Sequence, residues 1–403
     1  MIIGIDASRA NLKRKTGTEW YSFYLIKNLA KIDKENKYIL YLNDLPSLEL
    51  QEIIKDNPNF SVKFLKWPFL SFWTLGRLTL EMIFNKPDVL FIPAHTMPLV
   101  YPKKTINTIH DIAFARNRNL YRSLGVKTEG PSSKKIVEFL VQVFTLGKYH
   151  SESLDYLYWS TDFALRRAKK IITVSNFTKQ DILNFYPKAR ANKISVVHNG
   201  YNDDLYKLAR NHEKIKEKLE KYSIESPYFL YVGRLEKKKN IPALIEALSI
   251  LRDSHPEIKE KMVLIGDASF GYDEVKYVIE EFNLNYDVLM PGWVDEEDLP
   301  YLFNGASAFI FPSKHEGFGI PILQAMACGV PVAASDIPVF KEVAGDAILY
   351  FDHQDKKAIA EAMAEIINNV ELHKELTEKG LERVKNFSWK RCAEETLKEI
   401  LNV

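Results

Sequence analysis

Residues 315–332 read His315-Glu316-Gly317-Phe318-Gly319-Ile320-Pro321-Ile322-Leu323-Gln324-Ala325-Met326-Ala327-Cys328-Gly329-Val330-Pro331-Val332. The two glycines beside Phe318 allow the backbone to come close to a ligand. The apolar run after Pro321 predicts a helix with proline in its first turn and an end at Gly329. A predicted strand ending at Phe311 precedes this segment, so the helix N-terminus faces the carboxyl edge of a parallel sheet. The segment therefore predicts a ligand-binding loop in an α/β fold.

Glu316 lies in the loop before this helix, where two interpretations are open. Its carboxylate can accept hydrogen bonds from the hydroxyl groups of a sugar. A carboxylate near a helix N-terminus can also do no more than offset the helix dipole. The glycines on both sides of Phe318 favour the ligand-binding interpretation.

A second stretch reads Tyr231-Val232-Gly233-Arg234-Leu235-Glu236-Lys237-Lys238-Lys239-Asn240. A predicted strand ends in glycine, and a basic loop then leads into a helix. The free N–H groups of the helix N-terminus, together with Arg234 and Lys239, offer donors for the oxygens of a diphosphate. A solvated basic turn would have a similar sequence, and the residues alone leave both interpretations open.

Strand and helix signals alternate along the chain. The predicted strands of the first half are Ile2–Asp6, Tyr38–Leu42, Ser61–Leu65, Val89–Ile92, Thr105–His110, Lys170–Val174 and Ile194–Val197. The predicted strands of the second half are Tyr228–Val232, Met262–Ile265, Val288–Met290, Ala308–Phe311, Pro331–Ala334 and Ala347–Phe351. Strands separated by helices predict an α/β fold with two doubly wound parallel sheets.

The predicted domains are 1–205 and 226–385, with a charged, helical linker between them. A helix within 386–403 could cross back to the first domain. Residues 112–169 contain no clear strand and are predicted to form a helical insertion. Within the insertion, Lys134–Leu146 has apolar residues at helical spacing.

Composition excludes several classes of protein. The chain has 403 residues, of which 46% are hydrophobic and 27% charged, as in globular proteins. A net charge of +2 gives no reason to expect a nucleic-acid partner. Cys328 and Cys392 form no C-x-x-C pair, so neither a disulfide framework nor a thiolate metal site is expected. The N-terminus lacks the pattern of a signal peptide, and no transmembrane run is present, so a cytoplasmic location is expected.

The two motifs, in this order, resemble the C-terminal domain of glycosyltransferase family 4. These are retaining enzymes with the GT-B fold, in which two Rossmann-like domains face a central cleft. Further matching segments are Gly17-Thr18-Glu19, His110-Asp111, Val174-Ser175-Asn176-Phe177-Thr178, Val197-His198-Asn199-Gly200, Pro291-Gly292-Trp293-Val294 and Glu342-Val343-Ala344-Gly345-Asp346-Ala347. The resemblance covers most of the chain and implies a hexosyltransferase, in which domain 1–205 would bind the acceptor and domain 226–385 the nucleotide sugar. Its co-substrate would be a nucleotide sugar, and no separate cofactor is expected.

The resemblance also implies roles for individual residues around the donor. Arg234 and Lys239 match the basic pair that binds the donor diphosphate. Gly17 matches the loop that closes on the donor, and it is expected to bind the donor diphosphate together with Arg234 and Lys239. Gly292, Trp293 and Val294 match the region that receives the nucleotide base.

The donor sugar would meet residues from both halves of the chain. Glu316 matches the first acidic residue of the family's Glu-x7-Glu motif, which contacts the sugar. Glu316 is therefore the first candidate catalytic residue. Backbone N–H groups around Gly317, Phe318 and Gly319 would lie near it. His110 matches a histidine that lines the sugar site and is the second candidate catalytic residue. A buried histidine that caps a strand end is the alternative for His110.

One residue departs from the family pattern. The second acidic position of Glu-x7-Glu is Gln324 in this sequence. In the family this carboxylate binds the hydroxyls of the ribose. An amide keeps an acceptor but loses the charge-assisted hydrogen bond. We therefore expect Gln324 to bind the ribose more weakly or to alter the nucleotide preference.

The sequence offers cations and helix dipoles, rather than metal ligands, for a departing diphosphate. Asp203-Asp204 is adjacent rather than spaced as Asp-x-Asp, and it fits a helix N-cap region better. No metal is therefore expected. The resemblance implies attack on the front face of the sugar, with the acceptor hydroxyl giving its proton to the donor phosphate.

An aromatic and basic stretch runs from Lys63 to Arg77 in the first half. Its members are Lys63, Lys66, Trp67, Phe69, Phe72, Trp73, Leu75 and Arg77. Such a stretch can lie at a membrane interface and reach a lipid-linked acceptor. A segment that faces the core would have the same composition.

Three functions are compatible with these residues. The first is transfer of a hexose from GDP-mannose or a UDP-hexose to a hydroxyl of a glycan or lipid-linked acceptor. This would take place in the cytoplasm or at the inner face of the membrane. The second is binding of a nucleotide sugar without turnover, which the glutamine at position 324 in place of the second acidic residue would indicate. The third is a nucleotide-sugar 2-epimerase of GT-B architecture, whose acidic and histidine catalytic groups have no identifiable counterparts here.

Overall fold

The computed structural model describes residues 1–67, 73–116, 153–209, 211–269 and 271–403. These residues form two compact units. The first comprises Met1–Asn199 and Trp389–Val403, and the second comprises Gly200–Ser388. Each unit contains a parallel sheet flanked by helices, as the alternating sequence pattern predicts.

The sheet of the first unit has seven strands in the order β3-β2-β1-β4-β5-β6-β7, all parallel. They are β1 Ile2–Asp6, β2 Lys37–Leu42, β3 Phe60–Phe64, β4 Val89–Ile92, β5 Thr105–Ile109, β6 Lys170–Thr173 and β7 Ile194–Val196. The central strand β4 is buried at every residue, because helices cover both faces of a doubly wound sheet. The chain runs outward in one direction from β1 and in the other from β4, so the topological switch point lies between these two strands.

The helices of the first unit include the long α1, which follows β1. The described α-helices are α1 Gly17–Ile32, α2 Leu48–Lys55, α3 Thr79–Phe84, α4 Ala113–Arg116, α5 Ser153–Arg167 and α6 Asn176–Phe185, with a π-helical turn at Thr74–Leu78 and a 3-10 turn at Ala191–Lys193. Helix α4 and helix α5 belong to the predicted insertion at 112–169. The amphipathic segment Lys134–Leu146 lies outside the described residues.

The sheet of the second unit has six parallel strands in the order β10-β9-β8-β11-β12-β13. They are β8 Tyr228–Val232, β9 Lys261–Ile265, β10 Val288–Gly292, β11 Ala308–Phe311, β12 Val332–Ser335 and β13 Leu349–Phe351. The switch point of this sheet lies between β8 and β11. Both predicted motifs therefore follow the two strands that flank it.

The helices of the second unit begin with α7, which lies in the segment predicted to be a linker. They are α7 His212–Lys221, α8 Ile241–Ser254, α9 Tyr272–Glu281, α10 Leu299–Asn304, α11 Ile320–Ala327, α12 Pro338–Ala344, α13 Lys356–Asn368 and α14 Val370–Arg383, with 3-10 turns at Lys237–Lys239 and Val384–Asn386.

Helix α7 packs on the second unit rather than connecting two domains loosely. Ile215 and Leu219 are buried along one face. Lys221 and Tyr222, at its C-terminal end, donate to the Asp298 carboxylate over 2.5 and 2.9 Å. The second unit therefore begins at Gly200, earlier than the predicted start at residue 226, because a charged helix can still have an apolar face.

The C-terminal helix α15, Trp389–Leu401, belongs to the first unit. It packs along α1, where the Trp389 ring stacks on Tyr24 with centroids 5.6 Å apart. Cys392 and Ile400 are buried in the same contact, and Lys170 of β6 pairs with Glu399 at 3.2 Å. The last helix thus returns to the domain in which the chain begins.

Two tryptophans of the aromatic stretch pack inward. Trp73 is buried, and its indole N–H donates to the Leu65 carbonyl oxygen over 3.3 Å. Trp67 packs against the same core and closely approaches Gly76. Phe69 and Phe72 lie outside the described residues. Contact with a membrane through Lys63–Arg77 stays a prediction. Within the described ranges no helix has the length and apolarity needed to cross a bilayer.

Candidate active site

The basic loop after β8 is held in place by its own backbone and by neighbouring loops. The buried hydroxyl of Tyr231 donates to the Arg234 carbonyl oxygen over 3.2 Å. Lys237–Lys239 forms a 3-10 turn, and Asn240 then takes a left-handed conformation (φ 60°) before α8 begins. The Asn240 side chain donates to the His353 carbonyl oxygen over 2.8 Å. The Arg234 side chain is exposed, so its guanidinium is accessible to a ligand.

A row of three glycines lies at the carboxyl ends of the neighbouring strands β8, β9 and β10. The Gly233 N–H donates to the Ile265 carbonyl oxygen over 2.9 Å, and the Gly266 N–H donates to the Gly292 carbonyl oxygen over 3.0 Å. A Cβ placed on Gly266 would lie 2.0 Å from the Gly233 carbonyl oxygen. The sequence analysis did not identify Gly266, although a glycine directly after a buried strand is the signal that marked Gly233. We call Gly233, Gly266 and Gly292 the glycine row.

Glu316 and Lys239 form an ion pair that joins the two predicted motifs. The Lys239 ammonium donates to Glu316 Oε1, and both side chains are only about one-eighth exposed (13% and 12%). Ser313 Oγ donates to the same carboxylate oxygen over 2.9 Å. The backbone N–H of Lys314 donates to the Lys238 carbonyl oxygen over 2.9 Å. The loops after β8 and β11 therefore form one structure around a shared charge pair.

The helix predicted after Pro321 begins at Ile320 and is preceded by Gly319 in a left-handed conformation (φ 98°). A Cβ on Gly319 would lie 2.9 Å from the Phe340 ring. Phe318 is buried, with its ring 5.8 Å from Phe387, so only its backbone remains for a ligand. Gln324 lies on the same helix and is half-buried.

The segment predicted to receive the base follows β10. Gly292 ends this strand with φ 80°, and its carbonyl oxygen ties it to the glycine row. Trp293 is half-buried, whereas the Val294 side chain belongs to the core. Trp293 is therefore the large side chain of this segment that can reach a flat ring.

The first unit contains the remaining two predicted site residues. Gly17 is exposed in the first turn of α1, and nothing lies within 4 Å of where its Cβ would be. Next to it, the Thr16 backbone N–H donates to the Glu19 carboxylate over 3.2 Å. Arg9, from the loop after β1, donates to Glu19 over 2.9 Å. The sequence analysis did not identify Arg9 as a site residue.

His110 directly follows β5, one residue beyond the observed strand end, and its ring has a defined tautomer. Its Nε2–H donates to the Pro93 carbonyl oxygen over 3.0 Å, because a carbonyl can only accept. The ring packs edge-on against Tyr21 at a centroid distance of 4.7 Å. Burial lowers the pKa of His110 below its usual value, so the ring is neutral at pH 7 and Nδ1 can accept a proton. The strand-end contact fits the alternative interpretation, and the free acceptor nitrogen is compatible with a role in catalysis.

His95, which the sequence analysis also missed, lies after β4 in the same unit. Burial, and then the charge of Arg9, lower its pKa to about 4, against an opposing influence of Asp111. Its neighbour Thr96 shares a hydrogen bond of 3.3 Å with the hydroxyl of Tyr156 on α5. The sequence feature that could have identified His95 is its position shortly after a wholly apolar strand.

Acidification is expected to destabilise the first unit through His95. The unfolded chain binds a proton near the usual pKa of 6.5, whereas native His95 does so only near 4. The free energy of unfolding should therefore fall as the pH decreases from about 6.5 towards 4. Since His95 is half-buried, we expect a loss on the order of 1–2 kcal/mol. Urea unfolding at about pH 7.5 and pH 5 measures this, and an unchanged pH dependence in His95→Gln would contradict it.

Among the described residues, no three His, Cys, Asp or Glu side chains lie close enough together to hold a metal ion. The charged groups of the second unit are instead arranged as a cationic loop, an ion pair and a helix N-terminus. Such an arrangement can bind an anionic ligand that also carries hydroxyl groups.

Comparison with known proteins agrees with this geometry. Residues 16–205 match the family described as Glycosyltransferase Family 4, and residues 211–383 match the family described as Glycosyl transferases group 1. The chain is 33% identical over 261 residues to the O-antigen chain mannosyltransferase B of Escherichia coli, a match that covers 64% of this chain and 67% of that protein. The chain belongs to glycosyltransferase family 4. It is a hexosyltransferase, as the sequence motifs predict.

A further relative supports the family 4 assignment, and a solved structure supports the fold. The O-antigen chain mannosyltransferase RfbU of Salmonella typhimurium is 29% identical over 302 residues, which cover 75% of this chain and 70% of the relative. The crystal structure of Anabaena HepE in complex with UDP and glucose matches with a TM-score of 0.69 at 17% identity, over 100% of this chain and 99% of HepE. The predicted GT-B fold is thus confirmed.

Proposed function

We propose that this family 4 enzyme transfers a hexose, with retention of configuration and without a metal ion, from a nucleotide diphosphate sugar to a hydroxyl of a glycan or lipid-linked acceptor. The observation that carries the proposal is the Lys239–Glu316 ion pair, which joins the loops after β8 and β11. It holds a cation for phosphate and a carboxylate for sugar hydroxyls side by side. The named relatives make mannose the first candidate sugar and GDP-mannose the first candidate donor. A UDP-hexose is the second candidate, because HepE was crystallised with UDP and glucose.

The donor diphosphate would bind Arg234 and Lys239. An ammonium group has three N–H donors, so Lys239 can bind a phosphate oxygen while it still donates to Glu316. The hydrogen bond from the Lys314 backbone N–H to the Lys238 carbonyl oxygen holds the loops after β8 and β11 close together. The cations then stabilise the charge that develops on the leaving diphosphate.

The sugar and nucleoside would bind the remaining residues of the second unit. Glu316 would accept hydrogen bonds from sugar hydroxyls, with backbone N–H groups of Gly317 and Gly319 nearby. Gln324 would bind the ribose, and Trp293 would offer a surface for the base. The roles of Gly17 and His110 toward the donor remain those that the family resemblance implies.

In the transfer step the bond between the anomeric carbon and the diphosphate oxygen breaks, and a bond from the acceptor oxygen to the same carbon forms. The acceptor proton passes to the departing diphosphate, so the protein mainly has to position the reactants. The neutral His110 ring does not compete for this proton strongly, since its pKa is lowered.

A nucleotide panel tests the donor assignment directly. GDP, UDP, ADP and their sugars are compared by thermal shift, and product from the stabilising donor is examined by NMR for anomeric configuration, with and without EDTA. We expect stabilisation by GDP or UDP and a retained anomer in EDTA. An inverted product, or activity that EDTA abolishes, would refute the corresponding part of the proposal.

Arg234→Ala is expected to weaken nucleotide binding by about 10- to 100-fold, since one charge-assisted hydrogen bond contributes about 1.5–3 kcal/mol. The melting temperature without nucleotide should change little, because substitutions of exposed side chains usually change the free energy of unfolding by about 0.5 kcal/mol or less. Isothermal titration with the best nucleotide measures the affinity. Lys237→Ala is the matched control, since it removes the same charge from an exposed side chain of the same loop. Equal losses in both variants would mean that Arg234 acts only through general charge.

A further inference from the structure

The ring of Phe318, in the loop that leads into α11, packs against an aromatic side chain from the end of the second unit. Phe318 and Phe387 are both buried, and their rings meet edge to face with centroids 5.8 Å apart and planes at 77°. The 3-10 turn Val384–Asn386, which directly precedes Phe387, packs against α11. The loop is therefore held, through its one aromatic ring, by a segment that comes much later in the chain.

Arg383, the last residue of α14, contacts the Phe387 ring and the end of α12 at the same time. Its guanidinium lies 5.5 Å from the centroid of the Phe387 ring, within the range of a cation–π contact. Its Nε–H and Nη2–H donate to the carbonyl oxygens of Val343 and Glu342 over 2.8 and 2.7 Å. These carbonyls belong to the last turn of α12, where the helix itself has no N–H groups left to bind them. Arg383 supplies the missing donors.

Helix α12 also contacts the loop before α11. A Cβ on Gly319 would lie 2.9 Å from the Phe340 ring, so this ring of α12 packs directly against the loop backbone. Arg383 thus joins the two structures that bear on the loop, α12 through its carbonyls and Phe387 through its ring. The Tyr350 hydroxyl donates to the Gly345 carbonyl oxygen over 2.6 Å, so the end of α12 keeps one anchor when Arg383 is replaced.

The position of this loop matters because its backbone N–H groups are useful only where they are already in place. Hydrogen-bond donors stabilise a transition state when they are preorganised, and a displacement of about 1 Å lowers a rate by about 10²-fold. Gly317 and Gly319 have no side chains that could hold the backbone between them. The packing of Phe318 therefore sets where the N–H groups of both glycines point.

We infer that Arg383 is a positioning residue for glycosyl transfer, which acts through Phe387 and Phe318 on the backbone N–H groups of Gly317 and Gly319. This inference rests on the proposed function, in which these groups lie near the donor sugar. In this role Arg383 touches neither reactant. Its effect is confined to the sugar end of the donor, so a nucleotide that carries no sugar should bind equally well without it.

Arg383→Met keeps the stem of the side chain but removes its hydrogen-bond donors, and it should lower kcat about tenfold or more. The Kd of GDP or UDP, whichever binds the wild type, should change by less than about twofold. Arg383→Lys should recover part of kcat, since an ammonium group can still donate to a carbonyl oxygen and contact the Phe387 ring. Initial rates and isothermal titration measure the two quantities.

Arg252→Met is the matched control. Arg252 is a half-buried arginine of the same unit that also donates to two carbonyl oxygens, those of Ile258 and Glu260, over 3.0 and 2.8 Å. These carbonyls precede β9, at the opposite edge of the sheet from the loop. Arg252→Met should therefore destabilise the unit and leave kcat unchanged. Equal losses of kcat in the two variants, or a wild-type kcat in Arg383→Met, would overturn the inference.

Hydrogen exchange separates failure of this inference from failure of the proposed function. Amide exchange of the peptide that contains Gly317 and Gly319 is followed by mass spectrometry on the protein without ligand. It should be faster than in the wild type by about threefold or more in Arg383→Met and in Phe387→Leu, and unchanged in Arg252→Met. If the wild type forms no product with any donor, the proposed function fails. Unchanged exchange in Arg383→Met overturns the inference whatever the activity.

Discussion

Replacing Glu316 by glutamine is expected to lower kcat by about 10²- to 10³-fold, the usual effect of removing one preorganised electrostatic contact from an active site. Glutamine has nearly the same shape, but it cannot pair with Lys239 as an anion or accept as strongly from sugar hydroxyls. Because the pair is largely buried, the variant should also lose up to about 3 kcal/mol of unfolding free energy. Initial rates with the best donor, together with urea unfolding, measure the two effects.

Two further variants separate chemistry from folding. Glu236→Gln removes a carboxylate that pairs with Lys238 at 3.4 Å in the neighbouring loop, and it should keep wild-type activity. The double variant Lys239→Met with Glu316→Gln should lose less unfolding free energy than the sum of the losses in the two single variants, because neither charge is left without its partner. A Glu316→Gln enzyme with wild-type kcat would show that the carboxylate serves only to hold the loop.

Replacing Gly266 by alanine is expected to cost about 3–4 kcal/mol of unfolding free energy. The new Cβ would lie 2.0 Å from the Gly233 carbonyl oxygen, in a backbone conformation (φ 146°) that side chains rarely adopt. Overpacking and unfavourable backbone geometry each contribute about 1–3 kcal/mol. For a unit of this size the melting temperature should fall by roughly 6–16 °C. Nucleotide affinity should fall as well, because relief of the clash displaces the loop that carries Arg234.

Gly292→Ala is the control for the Gly266 variant. Gly292 also has a positive φ, 80°, but no atom lies within 4 Å of its Cβ position. It should therefore lose only the conformational part, about 1–2 kcal/mol. Equal destabilisation of the two variants, measured by thermal unfolding, would mean that the contact between Gly266 and Gly233 does not hold the loop.

The sheets were predictable because buried parallel strands have a simple sequence pattern. Val89–Ile92, Tyr228–Val232 and Ala308–Phe311 have the bounds that the sequence predicts, since each is an apolar run between turn residues. The predicted strand bounds were wrong by one or two residues where the apolar sequence extends beyond the residues that form hydrogen bonds between strands. Pro331 precedes β12 rather than starting it, because proline has no N–H for the neighbouring strand. Ala347 likewise lies before β13.

The candidate site was only partly predictable. Motifs that are continuous in sequence identified Arg234, Lys239 and Glu316, because glycine, cations and a helix start follow one another along the chain. Gly266 and His95 each follow an apolar strand, but they were missed because neither belongs to a motif that continues along the chain. Their significance comes from strands that are adjacent in the sheet: Gly266 after β9 lies next to Gly233 after β8, and His95 follows β4, the neighbour of β1.

The sequence by itself determined the two α/β units, the order of the motifs and the chemical character of the loops after β8 and β11. Each of these follows from local patterns of apolar, basic and glycine residues. Only the tertiary structure decided that Lys239 pairs with Glu316 and that α15 belongs to the first unit. The physical reason is that a parallel sheet brings together the ends of strands that are far apart in the chain. Pairing of distant charges therefore depends on strand order, which no local pattern records.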